Sequence, residues 1–146
     1  MPYSADQIFA MVADVARYPE FLPWVVAMRV RSDSEAETLA DMIVGFKGLR
    51  ERFTSRVVKV RPTQVVVDYV DGPLRHLHNE WQFAAEGDDH CRVDFMVDFS
   101  FRSIMFERLA GQMFDTALRK MIGAFEARAD ALYGAGNVIS APSSGA

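Results

Sequence analysis

The residues that could do chemistry are few, and their spacing completes no metal-binding or catalytic motif. His76 and His78 stand two positions apart, which would place both imidazoles on one face of a strand, within reach of a shared metal ion. No third ligand is recognisable nearby, and Glu80 and Gln82 continue the same face. His90 follows an acidic turn. We therefore predict solvated surface histidines and no metal site.

Nucleophilic and acid-base chemistry is equally sparse. No serine lies within Gly-x-Ser-x-Gly, no glycine-rich loop would hold a phosphate, and the single cysteine, Cys91, has no paired histidine. Asp94 and Asp98 alternate outward along a strand. Glu51 and Glu80 could point to either face if their strands bulged, and burial of either one in an apolar cavity would raise its pKa. We predict no catalytic residues and no cofactor, with a small-molecule cyclase or hydratase as the enzymatic alternative.

One segment of the chain is locally basic although the net charge is -4. Arg52 and Arg56 share a face of a strand, and their charge suits the phosphates of anionic lipids or of ribosomal RNA. The overall negative charge argues against DNA as a partner. The alternative is an ordinary charged sheet face on which Asp68 and Glu80 pair with these side chains. The predicted patch consists of Lys47, Arg50, Arg52, Arg56 and Arg75.

A sheet must position these side chains, because strand-like runs alternate with turn residues from residue 25 onward. Before that point, Ser4 and Gln7 have the capping-box spacing of a helix start, and a second helical turn ends at Pro19 or soon after. Short connections require antiparallel neighbours. The predicted strands are 25–33, 37–46, 50–61, 64–71, 74–85 and 91–101.

The strands alternate between a buried and a solvated face. Odd-numbered residues from Cys91 to Phe101 are apolar, and in the preceding strand Asn79 interrupts the buried face. From Ser103 to Tyr133 the period is helical, which gives a helix about 45 Å long. Sheet and helix bury their apolar faces against each other. We predict an α+β helix-grip fold, with one domain at 1–133 and a disordered tail at 134–146.

Several segments of the chain resemble those of a known family. They are Val12–Val15 with Tyr18–Trp24, Gly45–Val57, Asp71–Phe83, and Arg92–Phe99 with Phe125–Ala129. Together they resemble the coenzyme Q-binding and ribosome-association toxin proteins of the polyketide cyclase/START superfamily. The resemblance implies a START-like fold around an apolar cavity, without catalysis. Members usually carry a strand ahead of the segment that corresponds to Pro2–Ser4, where this chain has Met1.

The resemblance also implies two functions. Eukaryotic members bind ubiquinone and support respiration, whereas some bacterial members are toxins that bind the large ribosomal subunit and block subunit joining. We expect a non-catalytic binder of ubiquinone or a related polyprenyl lipid, cytoplasmic and peripheral at the inner membrane, with large-subunit binding as the alternative. The apolar side chains expected to face the ligand are Phe21, Trp24, Met42, Val44, Phe46, Phe53, Val67, Tyr69, Leu77, Trp81, Phe95, Phe99, Leu109 and Met113.

Overall fold

A computed structural model of the protein describes residues 1–46, 49–101 and 104–134, with side chains described for 1–45, 50–100 and 116–134. Two helices open the chain: α1, Ala5–Ala13, and a 3-10 helix, Val15–Glu20. The predicted capping box is confirmed, because the Gln7 amide donates to Ser4 Oγ at 3.1 Å and the Ser4 amide donates to Gln7 Oε1 at 3.0 Å. Pro19 lies inside the 3-10 helix, one residue before its end.

The strands and the long helix follow in the predicted order. The strands are β1, Val25–Asp33; β2, Glu37–Phe46; β3, Leu49–Val60; β4, Gln64–Asp71; β5, Leu74–Ala85; and β6, Cys91–Phe101. Helix α2, Ile104–Ala129, ends in a π-helical turn at Asp130–Gly134. Two boundaries differ from prediction: β3 is shifted by one residue, and the α-helical geometry stops four residues before Tyr133.

The strands form one curved antiparallel sheet in the order β1-β2-β3-β4-β5-β6. Within the described residues, β1 and β6 are therefore its edges. The first residue of the chain pairs with the start of β6: the Met1 amino group donates to the Cys91 carbonyl at 3.0 Å, and the Cys91 amide donates to the Met1 carbonyl at 3.1 Å. This backbone pair places Met1 beside the first residue of the edge strand β6.

Cross-strand register divides the sheet into two faces, because directly opposed residues point to the same side. The inner face carries Val57 opposite Val67, Val65 opposite Trp81, and Trp81 opposite Phe95. The outer face carries Asp41 opposite Thr54, Arg56 opposite Asp68, and Asp68 opposite His78. The predicted alternation is confirmed in both strands for which it was clearest, β5 and β6.

The core lies at one end of the inner face. Helix α1 contributes Ile8 and Val12, which are 1% and 0% exposed. Val65 and Phe83 meet them from the sheet, and Phe125 closes this end from the last part of α2. Since α1 contacts β4 and β5, this end of the molecule is sealed by helices, as the apolar stripe of α1 predicts.

Candidate lipophilic site and outer arginine surface

The apolar side chains of the inner face differ in burial along its length. At the core end, Val65 is 0% and Phe83 3% exposed. Farther along the same face, towards the β4–β5 hairpin, the apolar side chains are only partly buried although they point inward. We call this second area the open zone; its members are Met42, Val44, Phe53, Val67, Tyr69, Leu77, Val97 and Phe99. Helix α2 follows directly after β6, which ends beside this zone.

Most of the predicted ligand-facing side chains lie in or beside the open zone. Phe21, Trp24 and Phe95 are partly buried and pack against the core from its border. Trp81 is different, because it is 8% exposed and belongs to the core. The side chains of Phe46, Leu109 and Met113 lie outside the described residues. The assignment of these residues to a ligand remains a prediction.

An aromatic cluster marks the border between core and open zone. The Trp81 ring lies 4.5 Å from Phe95 and 5.0 Å from Phe125, measured between ring centroids. Phe125 in turn meets Phe21 edge-on at 5.1 Å and Tyr18 at 5.6 Å. Burial raises the pKa of the Tyr18 phenol, whose hydroxyl donates a hydrogen bond to the Val12 carbonyl. These contacts fix one wall of the site in place.

Asn79 is the polar exception on the inner face. It lies opposite Val67 on β4 and opposite Val97 on β6, with Leu77 and Trp81 two residues away on the same face. Among the residues whose side chains are described, its Oδ1 is the one buried oxygen or nitrogen that lacks a hydrogen-bond partner. The alternation of β5 in the sequence predicts Asn79 on this face, which is confirmed, but indicates no role for it.

Of the two candidate acid-base residues, Glu80 lies outside the open zone and Glu51 lies at its rim. Glu80 points to the outer face, where its Oε2 lies 3.7 Å from His78 Nε2. Glu51 is exposed, although it stands opposite Val44 at the rim of the inner face. Cys91 is buried, and this burial raises the pKa of its thiol, which disfavours a nucleophilic thiolate.

The histidines contact carboxylates at the surface. His76 Nε2 lies 3.0 Å from Asp98 Oδ2, and His78 Nδ1 lies 2.5 Å from Asp68 Oδ1. The hydrogen bond with Asp68 is the main cause that raises the pKa of His78. Over the described part of the chain, no group of three histidine, cysteine or carboxylate side chains is arranged to hold a metal ion.

The outer face of β1–β3 carries the predicted arginines. Arg50 and Arg52 are exposed, and neither has an ion-pair partner within the described residues. Arg56 Nε donates to Glu37 Oε1 at 2.6 Å. Arg75 is exposed after the β4–β5 hairpin, whose Gly72 lies against the Arg52 carbonyl. Lys47 lies outside the described residues.

Asp68 and Glu80, the partners expected for these arginines in the alternative interpretation, contact His78 instead. The carboxylate that sequence analysis missed is Asp41. It is 2% exposed, accepts hydrogen bonds from Thr54 Oγ1 at 2.6 Å and from Arg31 Nε at 2.9 Å, and stands opposite Arg29. The Thr54 hydrogen bond, and then Arg31, hold the pKa of Asp41 below its ordinary value.

The fold and the inner face together define a START-like helix-grip domain. Residues 1–126 match the family described as polyketide cyclase / dehydrase and lipid transport, and the chain belongs to that family. Within the described residues, no helix is both long and apolar enough to cross a membrane.

The chain is similar to relatives of at least two kinds. The chain is 37% identical to the ribosome association toxin RatA of Pseudomonas aeruginosa over 134 residues, 92% of this chain and 93% of the relative. It is 35% identical over 136 residues to the mitochondrial coenzyme Q-binding protein COQ10 homolog B of Xenopus laevis, 90% of this chain and 56% of the relative. The solution structure of an 18 kDa protein from Caulobacter crescentus is similar with a TM-score of 0.72 and 39% identity, covering 92% of this chain and 93% of that chain.

Proposed function

We propose that the protein binds ubiquinone or a related polyprenyl lipid, without catalysis, between the inner face of the sheet and helix α2. The observation that carries the proposal is the open zone. Large apolar side chains such as Phe53 and Leu77 point to the covered side of the sheet, yet they stay partly accessible while Val65 and Phe83 are buried. Accessible apolar surface on an inward face favours an apolar ligand.

The apolar contact would supply most of the affinity. Burial of lipid and protein surface contributes about 25 cal/mol per Å² of apolar area removed from water. The name of the Xenopus relative, a coenzyme Q-binding protein, supports ubiquinone as the ligand. A protein that carries such a lipid would be cytoplasmic and would meet the inner membrane at its surface.

A filling variant tests this proposal. Leu77→Trp adds volume to the open zone, whereas Val70→Trp adds the same group at a side chain that is 49% exposed. Each protein is purified from a host that makes ubiquinone, extracted with organic solvent and analysed by mass spectrometry. We expect lipid at near-stoichiometric amounts in the wild type and in Val70→Trp, and a loss of several-fold in Leu77→Trp. Wild-type protein that repeatedly carries no lipid would refute the proposal.

A second function, binding to the large ribosomal subunit, is favoured by the arginine surface. Arg50 and Arg52 are exposed and form no ion pair within the described residues, and the similarity to RatA supports this partner. The outer face is also divided by charge, since its β4–β6 half carries carboxylates at Asp68, Glu80, Asp94 and Asp98. RNA phosphates would therefore approach the β1–β3 half.

Sedimentation with purified large subunits tests the second function. Arg50→Gln with Arg52→Gln removes two charges from this surface, and Arg17→Gln with Arg92→Gln removes two from exposed arginines elsewhere. We expect the first pair to abolish most co-sedimentation and to reduce its salt dependence, while the second pair binds like the wild type. Equal binding by both double variants would show that the arginine surface has another role.

A further inference from the structure

The unpaired amide of Asn79 lies where a lipophilic ligand would rest. Val67 and Val97 flank it across the neighbouring strands, and Leu77 precedes it on the open zone. The side chain makes no hydrogen bond within the described residues, and its Oδ1 is withdrawn from solvent. A buried amide without a partner destabilises the folded protein, because it loses its hydrogen bonds to water and gains none in return.

An apolar residue of similar size would avoid this cost. Leucine packs well on an inward sheet face and leaves no polar group unsatisfied. Asparagine differs from it in offering an acceptor at Oδ1 and two donor hydrogens at Nδ2. The cost is recovered when a ligand supplies the missing partner, because the ligand and the amide then satisfy each other in a medium that strengthens the hydrogen bond.

The charges near the open zone limit the chemistry of that partner. Among the described strand residues of the inner face, Lys59 is the one lysine or arginine; it stands opposite Val65 at the core end, away from the open zone, and its Nζ is engaged with Asp33 Oδ1 at 3.0 Å. Glu51 at the rim adds negative charge. A carboxylate or phosphate headgroup would find no unpaired cation among these residues, so a neutral headgroup fits better.

We propose that Asn79 binds the polar headgroup of the lipid, and that this headgroup is a neutral ring bearing a hydroxyl group that donates to Oδ1. This inference rests on the proposed lipid-binding function and specifies the chemistry of the headgroup. Asn79 is then a specificity-determining residue: the apolar side chains bind the tail, whereas the amide distinguishes a hydroxylated ring from a plain hydrocarbon. A prenylated phenol has this chemistry, and so does ubiquinol, the reduced form of ubiquinone; ubiquinone itself has no hydroxyl group to donate.

The test compares two ligands on the full chain by isothermal titration calorimetry. One is ubiquinol with two isoprene units, kept reduced under anaerobic conditions; the other is farnesene, a hydrocarbon without a headgroup. For Asn79→Leu we expect quinol binding about tenfold weaker, since a hydrogen bond to a neutral partner is lost. Farnesene binding should change less than twofold, and the melting temperature of the free protein should rise.

Two further variants act as controls. Asn79→Thr keeps a donor and an acceptor and should retain most of the quinol affinity, whereas Val70→Thr changes an exposed side chain outside the open zone and should leave both ligands unaffected. Wild-type protein that binds neither ligand would refute lipid binding and, with it, the role of Asn79. Quinol binding by Asn79→Leu equal to that of the wild type, or loss of both ligands together, would refute the role of Asn79 alone.

Discussion

Replacing Asp41 with asparagine should destabilise the protein although the residue lies on the outer face of the sheet. The carboxylate is 2% exposed and accepts from Thr54 Oγ1 at 2.6 Å and from Arg31 Nε at 2.9 Å. An amide can accept only one of these bonds and presents an NH₂ group to the other donor. Loss of a hydrogen bond to a charged group costs about 1.5–3 kcal/mol, and the easier burial of a neutral amide offsets part of it.

We therefore expect Asp41→Asn to lower the free energy of unfolding by about 2 kcal/mol, which corresponds to about 6–10 °C in melting temperature for a domain of this size. Urea unfolding followed by circular dichroism measures the change. Asp94→Asn is the matched control, because its exposed carboxylate pairs with Arg92 at the surface, and such pairs contribute less than about 1 kcal/mol.

The pH dependence gives a second readout. A carboxylate whose pKa is lowered in the folded state stabilises the protein above its unfolded pKa, and this contribution is lost as the pH falls through the folded value. The difference between wild type and Asp41→Asn should therefore be largest near neutral pH and shrink on acidification below about pH 4. If Asp41→Asn and Asp94→Asn unfold at the same urea concentration, the hydrogen bonds of Asp41 with Thr54 and Arg31 stabilise the fold no more than an exposed ion pair does. That result would refute the reasoning.

Three other outcomes can be measured in the same way. Phe83→Ala should cost about 3–5 kcal/mol because the side chain is 3% exposed, whereas Phe53→Ala in the open zone should cost less than half as much; equal losses would contradict the division of the inner face. The pKa of His78 is raised mainly by its hydrogen bond with Asp68. Below pH 6.5 the wild type should therefore be more stable than His78→Gln, and this difference should vanish as the pH rises through the folded pKa of His78. A pH series of unfolding curves for both proteins measures the difference. Tyr3→Phe removes a hydroxyl that donates to Asp130 and should lower the melting temperature by a few degrees, with unchanged melting as the contrary result.

The order and type of the elements were predictable because their signals are local. Turn residues mark the ends of the strands, and the alternation from Cys91 to Phe99 assigns each side chain of β6 to a face without knowledge of its neighbours. Asn79 was placed on the inner face by the same rule. Its lack of a hydrogen-bond partner was not predictable, because that depends on which groups β4 and β6 bring opposite it.

The outer face shows where local patterns stop being informative. Asp41 follows the alternation of β2 and reads as an ordinary solvated carboxylate. Its burial arises from Thr54 on β3 and Arg31 at an irregularity of β1, so it depends on pairings between three strands. The hydrogen-bond partner of Asp68 could not be predicted from the sequence for the same reason. Arg56 and His78 both stand opposite Asp68 on the neighbouring strands, and the hydrogen bond forms with His78.

The pairing of Met1 with Cys91 determines where any added N-terminal residues would go. Because the pair is antiparallel, residues joined ahead of Met1 would run beside Arg92, Val93 and Asp94, along the outer edge of the edge strand β6. An affinity tag fused at this end would thus pair with β6 as a seventh strand, next to side chains that border the open zone. Binding assays on such a fusion would report on tag and protein together, so the tag belongs at the other terminus.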